Sequence, residues 1–206
     1  MKNKFFFGRI KSRKVSRSKE LNLKKFLNRY KISKINKKKA LVLEIGIGMG
    51  EHLIHLSKKN KTKIIIGVDP FKNGMANVSD LCFKERIKNI FLYPFVVENF
   101  FDKFKKLRFE SIYILFPDPW PKKRHSKRRI INDHFLKKIT KFLKKKGKVI
   151  FSTDNIDYFN NVKTLILGKE NIRLSKVKEN FTFKTKYFKK AIKKGNTIKT
   201  LRFYKI

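Results

Sequence analysis

The fourteen residues FPDPWPKKRHSKRR, Phe116 to Arg129, hold the side chains best able to do chemistry. Pro117 and Pro119 flank a single acid, Asp118, and Trp120 and Pro121 follow at once. Proline fixes its own φ and pushes the preceding residue out of the helical region, so this stretch reads as a rigid, non-helical bend. Six cationic side chains then fall within eight residues, from Lys122 to Arg129. A lone carboxylate on a stiff loop, beside an aromatic ring and a cationic arm, suits chemistry on a nucleic-acid base. The acid can sit where positive charge develops, the ring can stack, and the cations can meet phosphates.

A second constellation lies upstream, in Glu44-Ile45-Gly46-Ile47-Gly48-Met49-Gly50. Glycines after an apolar run let backbone N–H groups approach a ligand where side chains would collide. A dinucleotide fingerprint needs Gly or Ala where this chain has Glu51, so that reading fails. The pattern E-x-G-x-G-x-G instead resembles the first motif of class I S-adenosylmethionine-dependent methyltransferases. The resemblance implies that Glu44 takes the cationic amino group of the cofactor, directly or through water. It also implies that Asp69, ending the next apolar run, accepts hydrogen bonds from ribose hydroxyls.

These residues need a frame to hold them. Leu41 to Ile45, Ile64 to Val68, Ile90 to Phe95, Ser111 to Phe116 and Lys148 to Ser152 read as strands. Between them, Glu51 to Lys59, Asn73 to Glu85, Glu98 to Lys106 and Asn132 to Lys145 read as helices. Such alternation predicts an α/β fold with a mostly parallel, doubly wound sheet, and ligands outside the carboxyl ends of its strands. Phe181 to Phe183 and Thr197 to Tyr204 read as a β pair, giving an antiparallel C-terminal strand. Residues 1–38 form a basic leader, with an amphipathic helix expected over Ser18 to Tyr30, ahead of the main domain at 39–206.

With 206 residues and 41% hydrophobic content, the chain can bury a real core. Its formal charge of +40, from 55 Lys and Arg against 15 Asp and Glu, predicts attraction to polyanions. Lys, Asn, Ile and Phe are all abundant and all have A/T-rich codons, so part of this excess is compositional and only localised runs count as evidence. One cysteine, Cys82, excludes an intrachain disulfide and a cysteine metal cluster. The four histidines show no metal-site spacing, no apolar run reaches membrane-spanning length, and a cytoplasmic protein is expected.

Taken together, the motifs resemble the bacterial tRNA (guanine-N7-)-methyltransferase family, whose fold is the Rossmann-like class I methyltransferase fold. FPDPWPKKRHSKRR is similar to that family's hallmark, LEIGIGMG to its cofactor loop and GVDP to its second-strand acid. Thr153 to Asn155 matches a T-D element, Thr185 to Gly195 the C-terminal element, and FGRIKSRK leaders in some members. The resemblance implies methyl transfer from S-adenosylmethionine, without a metal, to N7 of a guanine in the tRNA variable loop. It implies Asp118 as the catalytic acid, counted with Glu44, Gly46, Gly48, Gly50 and Asp69 among the cofactor-binding positions. Lys122, Asp154, Thr185 and Tyr187 would bind the tRNA, with the later cations to Arg129 on phosphates. On the residues alone, Asp154 could instead cap a helix beginning near Asn155, Thr185 or Tyr187 could be strand residues, and Trp120 could pack under its loop.

Two positions depart from the family pattern. Val96-Val97 stand where an Asp-Ala pair is usual after the third strand, and Glu98 or a backbone amide is expected to take over the contact with adenine. Phe188 replaces a glutamate of the C-terminal element and could stack on a ring. These departures keep two alternatives open: a related methyltransferase acting on another RNA, and an RNA-binding homologue weakened in catalysis. Oligomeric state is not legible.

Overall fold

An apolar run such as Ile64–Val68 has no polar side to offer solvent, so it must be covered on both faces. Such runs favour parallel pairing beneath helices. The computed structural model describes residues 8, 10, 14–36, 38–175, 183 and 185–206. They fall into two compact units, Gly8–Leu107 and Arg108–Ile206.

The first unit runs α1 (Arg17–Arg29), a short 3-10 turn, β1 (Leu41–Ile45), α2 (Glu51–Lys59), β2 (Ile64–Val68), α3 (Lys72–Lys84), β3 (Ile90–Tyr93) and α4 (Val97–Lys103). Its strands lie in the order β3-β2-β1, all parallel, with Leu41 opposite Ile64 and Ile65 opposite Ile90. Parallel pairing brings the carboxyl ends of the three strands to one edge. Every residue of β1 and β2 is buried. Close packing extends to Gly67, where a Cβ would stand 2.7 Å from Leu53 Cδ2.

The leader helix α1 is predicted over 18–30 and found over 17–29. Its Phe26 is fully buried, stacked on Tyr30 at 4.7 Å and edge-on to Phe83 of α3 at 5.8 Å. Polar contacts reinforce the docking: Asn22 Nδ2 donates to Asp80 Oδ1 at 3.0 Å. The strand-loading turn at the base of the unit is fixed by Asn89, whose amide donates to the carbonyls of Ser57, Asn60 and Lys63 while its oxygen accepts from Ser57 Oγ.

The second unit runs β4 (Phe109–Leu115), a 3-10 helix (Lys123–Arg128), α5 (Asp133–Lys141), β5 (Leu143–Thr153), α6 (Ile156–Leu167), β6 (Ile172–Leu174), α7 (Lys186–Lys193) and β7 (Lys199–Lys205). Strand order is β4-β5-β7-β6; β4 and β5 are parallel, and β7 is antiparallel to both neighbours. The expected antiparallel C-terminal strand is therefore β7.

Several boundaries differ from expectation: α5 ends at Lys141, not Lys145, because Leu143 already pairs with Phe109 of β4, while α4 ends at Lys103, β3 ends at Tyr93 and β4 starts at Phe109. β5 starts at Leu143, not 148, because exposed Lys144–Lys146 form an irregular entry with Lys146 in the left-handed region (φ 60°). Buried Gly147 then lies where a Cβ would stand 2.8 Å from the carbonyls of Lys144 and Phe109. The partner of β7 is β6; of the strand expected at 181–183, residues 181 and 182 lie outside the described residues. Residues 186–193, to which the sequence assigns no element, form α7, whose first turn is closed by Thr185 Oγ1 accepting from Phe188 N. Among the described residues no helix is long and apolar enough to cross a membrane.

Candidate active site

In the first unit the glycine loop joins β1 to α2. Gly46, Gly48 and Gly50 all have positive φ, 78°, 53° and 85°, a conformation that costs an L side chain roughly 1–2 kcal/mol. The three differ in surroundings. A Cβ on Gly50 would lie 2.0 Å from Val78 Cγ2, whereas one on Gly46 would meet nothing within 4 Å. Gly46 thus faces open space beside its own backbone, the cradle a ligand needs. Gly74 of α3 comes so close that an added Cβ would strike the Gly48 carbonyl oxygen.

Two acids anchor this loop. Asp69 follows β2 and is 7% exposed; its Oδ2 accepts from Gly48 N at 2.9 Å and its Oδ1 from Phe71 N at 2.8 Å. Both oxygens are engaged with backbone amides, so the acid ties the glycine loop to the turn that follows β2. Glu44, 2% exposed, accepts from His52 Nδ1 at 3.0 Å, and His52 on α2 is also buried. A carboxylate can only accept, so Nδ1 carries the proton. Sequence reading weighed His52 only as a metal ligand and missed this pair; its spacing of eight residues from Glu44 crosses a strand, a loop and a helix start. His55, on the outer side of the same helix, is held below its ordinary pKa by partial desolvation of its ring, then by His52 and Lys59.

The position following β3 is also resolved. Val96 and Val97 are buried, and Val96 occupies the N-cap of α4. Glu98 lies half-buried in the first turn of α4, at the same carboxyl edge as Asp69.

In the second unit the FPDPWP loop leaves β4. Phe116 and Trp120 both take left-handed φ values, 48° and 44°, without being glycine. Phe116 N donates to Ser152 O at 2.8 Å, which fixes the loop's start to β5. Asp118 is exposed and accepts no hydrogen bond among the described residues. It is therefore not a turn cap. Trp120 is half-buried, with Arg128 Cζ 4.9 Å from its ring centroid and His125 edge-on at 5.9 Å. Lys122, Lys123, Arg124 and Lys127 are exposed along the 3-10 helix.

Arg129 corrects one expectation. It does not project with the other cations: it is 6% exposed, its Nε donates to Pro119 O at 2.9 Å, and Nη2 donates to Asp157. Its guanidinium also lies 4.9 Å from the Tyr158 ring centroid. Nothing in a run of six cations distinguishes the buried one, which is why the sequence does not reveal it.

The remaining candidates fall at helix starts. Asn155, not Asp154, caps α6 by accepting from Tyr158 N at 2.8 Å. Asp154 is half-buried, and its Oδ2 accepts from Asn196 Nδ2 at 2.9 Å. Thr185 is the buried N-cap of α7, not a strand residue; Tyr187 is exposed in the first turn and Phe188 half-buried. The Asn196 bond brings Asp154 together with the loop after α7. Among the described residues no group of three or more His, Cys, Asp or Glu is placed to hold a metal ion.

Comparison with known proteins agrees with this arrangement. Residues 38–201 match the family model Methyltransf_4, described as "Putative methyltransferase". The bifunctional methyltransferase of Rickettsia conorii is 37% identical over 84% of this chain, and the chain spans about a third (34%) of that relative's length. The tRNA (guanine-N(7)-)-methyltransferase of Neorickettsia sennetsu is 32% identical over 74% of this chain and 70% of its own length. A solved structure of an antibiotic-related methyltransferase superposes with a TM-score of 0.59 at 21% identity, covering 93% of this chain and 95% of that one, which shows the Rossmann-like methyltransferase fold. With a family model over most of its length and a relative aligned along most of both chains, this chain belongs to the tRNA (guanine-N7-)-methyltransferase family.

Proposed function

We propose that this protein transfers a methyl group from S-adenosylmethionine to N7 of a guanine in the variable loop of tRNA. The observation that carries the reading is Asp118: an exposed carboxylate with no hydrogen bond among the described residues, on a loop stiffened by three prolines and two left-handed residues, just ahead of a cationic turn.

The first unit supplies a fitting cofactor cradle. Open space at Gly46 admits the ligand beside backbone, while Asp69 keeps Gly48 in place and faces the same carboxyl edge as Glu98. Glu44, buried against His52, reaches the cofactor's amino group through water, and Glu98 reads the adenine edge in place of the missing acid at Val96. When bound, the cofactor supplies an electrophilic methyl group on a sulfonium sulfur.

The N7 lone pair of guanine is free at neutral pH, so no general base is needed. Forming the N–C bond as the S–C bond breaks returns an electron pair to sulfur and leaves guanine cationic. Catalysis is then mostly alignment of three atoms in line. A carboxylate at Asp118, with no local cation hydrogen-bonded to it, stabilises the growing positive charge more than the neutral ground state. Lys122 and the exposed cations after it hold tRNA phosphates; Asp154, Tyr187 and Phe188 contact the tRNA, and Thr185 contributes through the start of α7 that it caps. A tRNA substrate places the work in the cytoplasm.

The test is incubation of unmodified tRNA with labelled S-adenosylmethionine, followed by borohydride and aniline cleavage to map N7-methylguanine. Cleavage in the variable loop supports the reading. Cleavage only elsewhere moves the substrate to another RNA. No incorporation despite retained tRNA binding assigns the chain to non-catalytic RNA binding.

A further inference from the structure

We infer that Arg129 is a positioning residue that sets the height and direction of the Asp118 loop, not a phosphate ligand. This rests on the methyl-transfer reading above for its consequence, though not for its geometry.

The loop needs an external anchor. Two of its residues, Phe116 and Trp120, sit in the left-handed region, where each non-glycine residue costs about 1–2 kcal/mol, so the loop does not hold this shape by its own preference. Its start is tied to β5 through the Phe116 N to Ser152 O bond. Its middle is tied at Pro119, directly after Asp118, and the tie is the Nε–H of Arg129.

Arg129 is itself fixed on three sides. Nη2 donates to Asp157 in the first turn of α6, and the guanidinium carbon lies 4.9 Å from the Tyr158 ring centroid. Tyr158 is fully buried, and its hydroxyl accepts from Ile131 N at 3.1 Å, two residues after Arg129. The chain thus closes a cycle: loop to Arg129, Arg129 to α6, α6 back to the backbone beyond Arg129. A planar guanidinium can donate to a carbonyl and a carboxylate at once while its cationic carbon stays over a ring; the compact ammonium of lysine has no such fork. A phosphate ligand would need its donors facing solvent, and these are buried.

The experiment compares wild type with Arg129→Lys, and with Asp157→Asn, in which only the exposed partner is altered and folding is spared. Tertiary structure is checked by near-ultraviolet circular dichroism. Amide hydrogen exchange at Phe116, Asp118 and Trp120, the three residues of 116–121 that carry an amide hydrogen, reads the anchor without any substrate, and steady-state methylation separates kcat from KM for tRNA.

A positioning role predicts faster exchange at the Phe116, Asp118 and Trp120 amides in both variants. It also predicts kcat lowered by about tenfold or more in Arg129→Lys with KM changed less than about threefold, as for a small misplacement of a reacting group. A raised KM with kcat intact, unchanged loop exchange, and a shallower dependence of binding on salt would mark Arg129 as a phosphate contact and overturn the proposal. If wild type methylates no RNA, the functional reading fails on its own, and the exchange result still decides the anchor.

Discussion

Glu44 Oε2 and His52 Nδ1 lie 3.0 Å apart with both side chains buried, one on β1 and the other on α2. The glycine loop that separates them in sequence is therefore clamped from beneath. Replacing His52 with Leu leaves the Glu44 carboxylate without this donor at nearly constant volume. The expected cost is about 1–3 kcal/mol, seen as a lower urea midpoint. Adding Glu44→Gln to His52→Leu is expected to cost less than the sum of the two, since they share one bond.

Gly46→Ala and Gly50→Ala separate ligand space from packing. Both place a side chain at positive φ, a penalty of roughly 1–2 kcal/mol. Only Gly50→Ala also drives a methyl group into Val78, adding about 1–3 kcal/mol of overpacking. The melting temperature should fall further for Gly50→Ala. Calorimetric affinity for S-adenosylhomocysteine should fall for Gly46→Ala even when the protein is fully folded at the assay temperature.

Asp118→Asn keeps the shape of an exposed side chain that makes no hydrogen bond within the described structure. Its melting temperature should match wild type, while methylation slows by about 10²–10³-fold, the range for losing one preorganised stabiliser of transition-state charge. Equal activity would remove Asp118 from the mechanism.

Glu98→Ala tests the substitution for the missing acid at Val96. Losing one hydrogen bond to the adenine edge, worth roughly 0.5–1.5 kcal/mol, should weaken cofactor binding by up to about tenfold. Unchanged affinity would falsify the contact and leave the backbone amides at the start of α4 as the only candidates there.

Acid should loosen the leader helix. The carboxyl of Asp80 is held below its usual range chiefly by its hydrogen bond from Lys84, then by the one from Asn22 of α1. Its folded pKa is lower than its unfolded value, so its contribution is complete above the ordinary carboxylate range. That contribution is lost as pH falls through the depressed folded value, below 3.8. Hydrogen exchange in α1 should rise over that window in wild type and be raised already at neutral pH in Asp80→Asn.

Much of this structure is legible in the residues because each signal is local. Leu41–Ile45 and Ile64–Val68 are apolar runs that leave no alternative to a buried strand, and both are found with those bounds. The motif glycines and Asp69 lie where their spacing puts them. What escapes is decided by distant partners. Lys144–Lys146 read as helix or loop until β4 pairs with the chain beside them, and α7 depends on a cap at Thr185. Arg129 and His52 escape for the same reason: each has the sequence signature of a surface residue, and only tertiary contacts bury it.

Trp120 is the single tryptophan of the chain, and it sits inside the acid-bearing loop with Arg128 over its ring and His125 at its edge. The loop therefore carries its own optical reporter. Excitation at the red edge of indole absorption isolates this one fluorophore from the six tyrosines, without label or mutation. A change in its emission when RNA is added is a direct reading of the loop, in real time and in the unaltered protein.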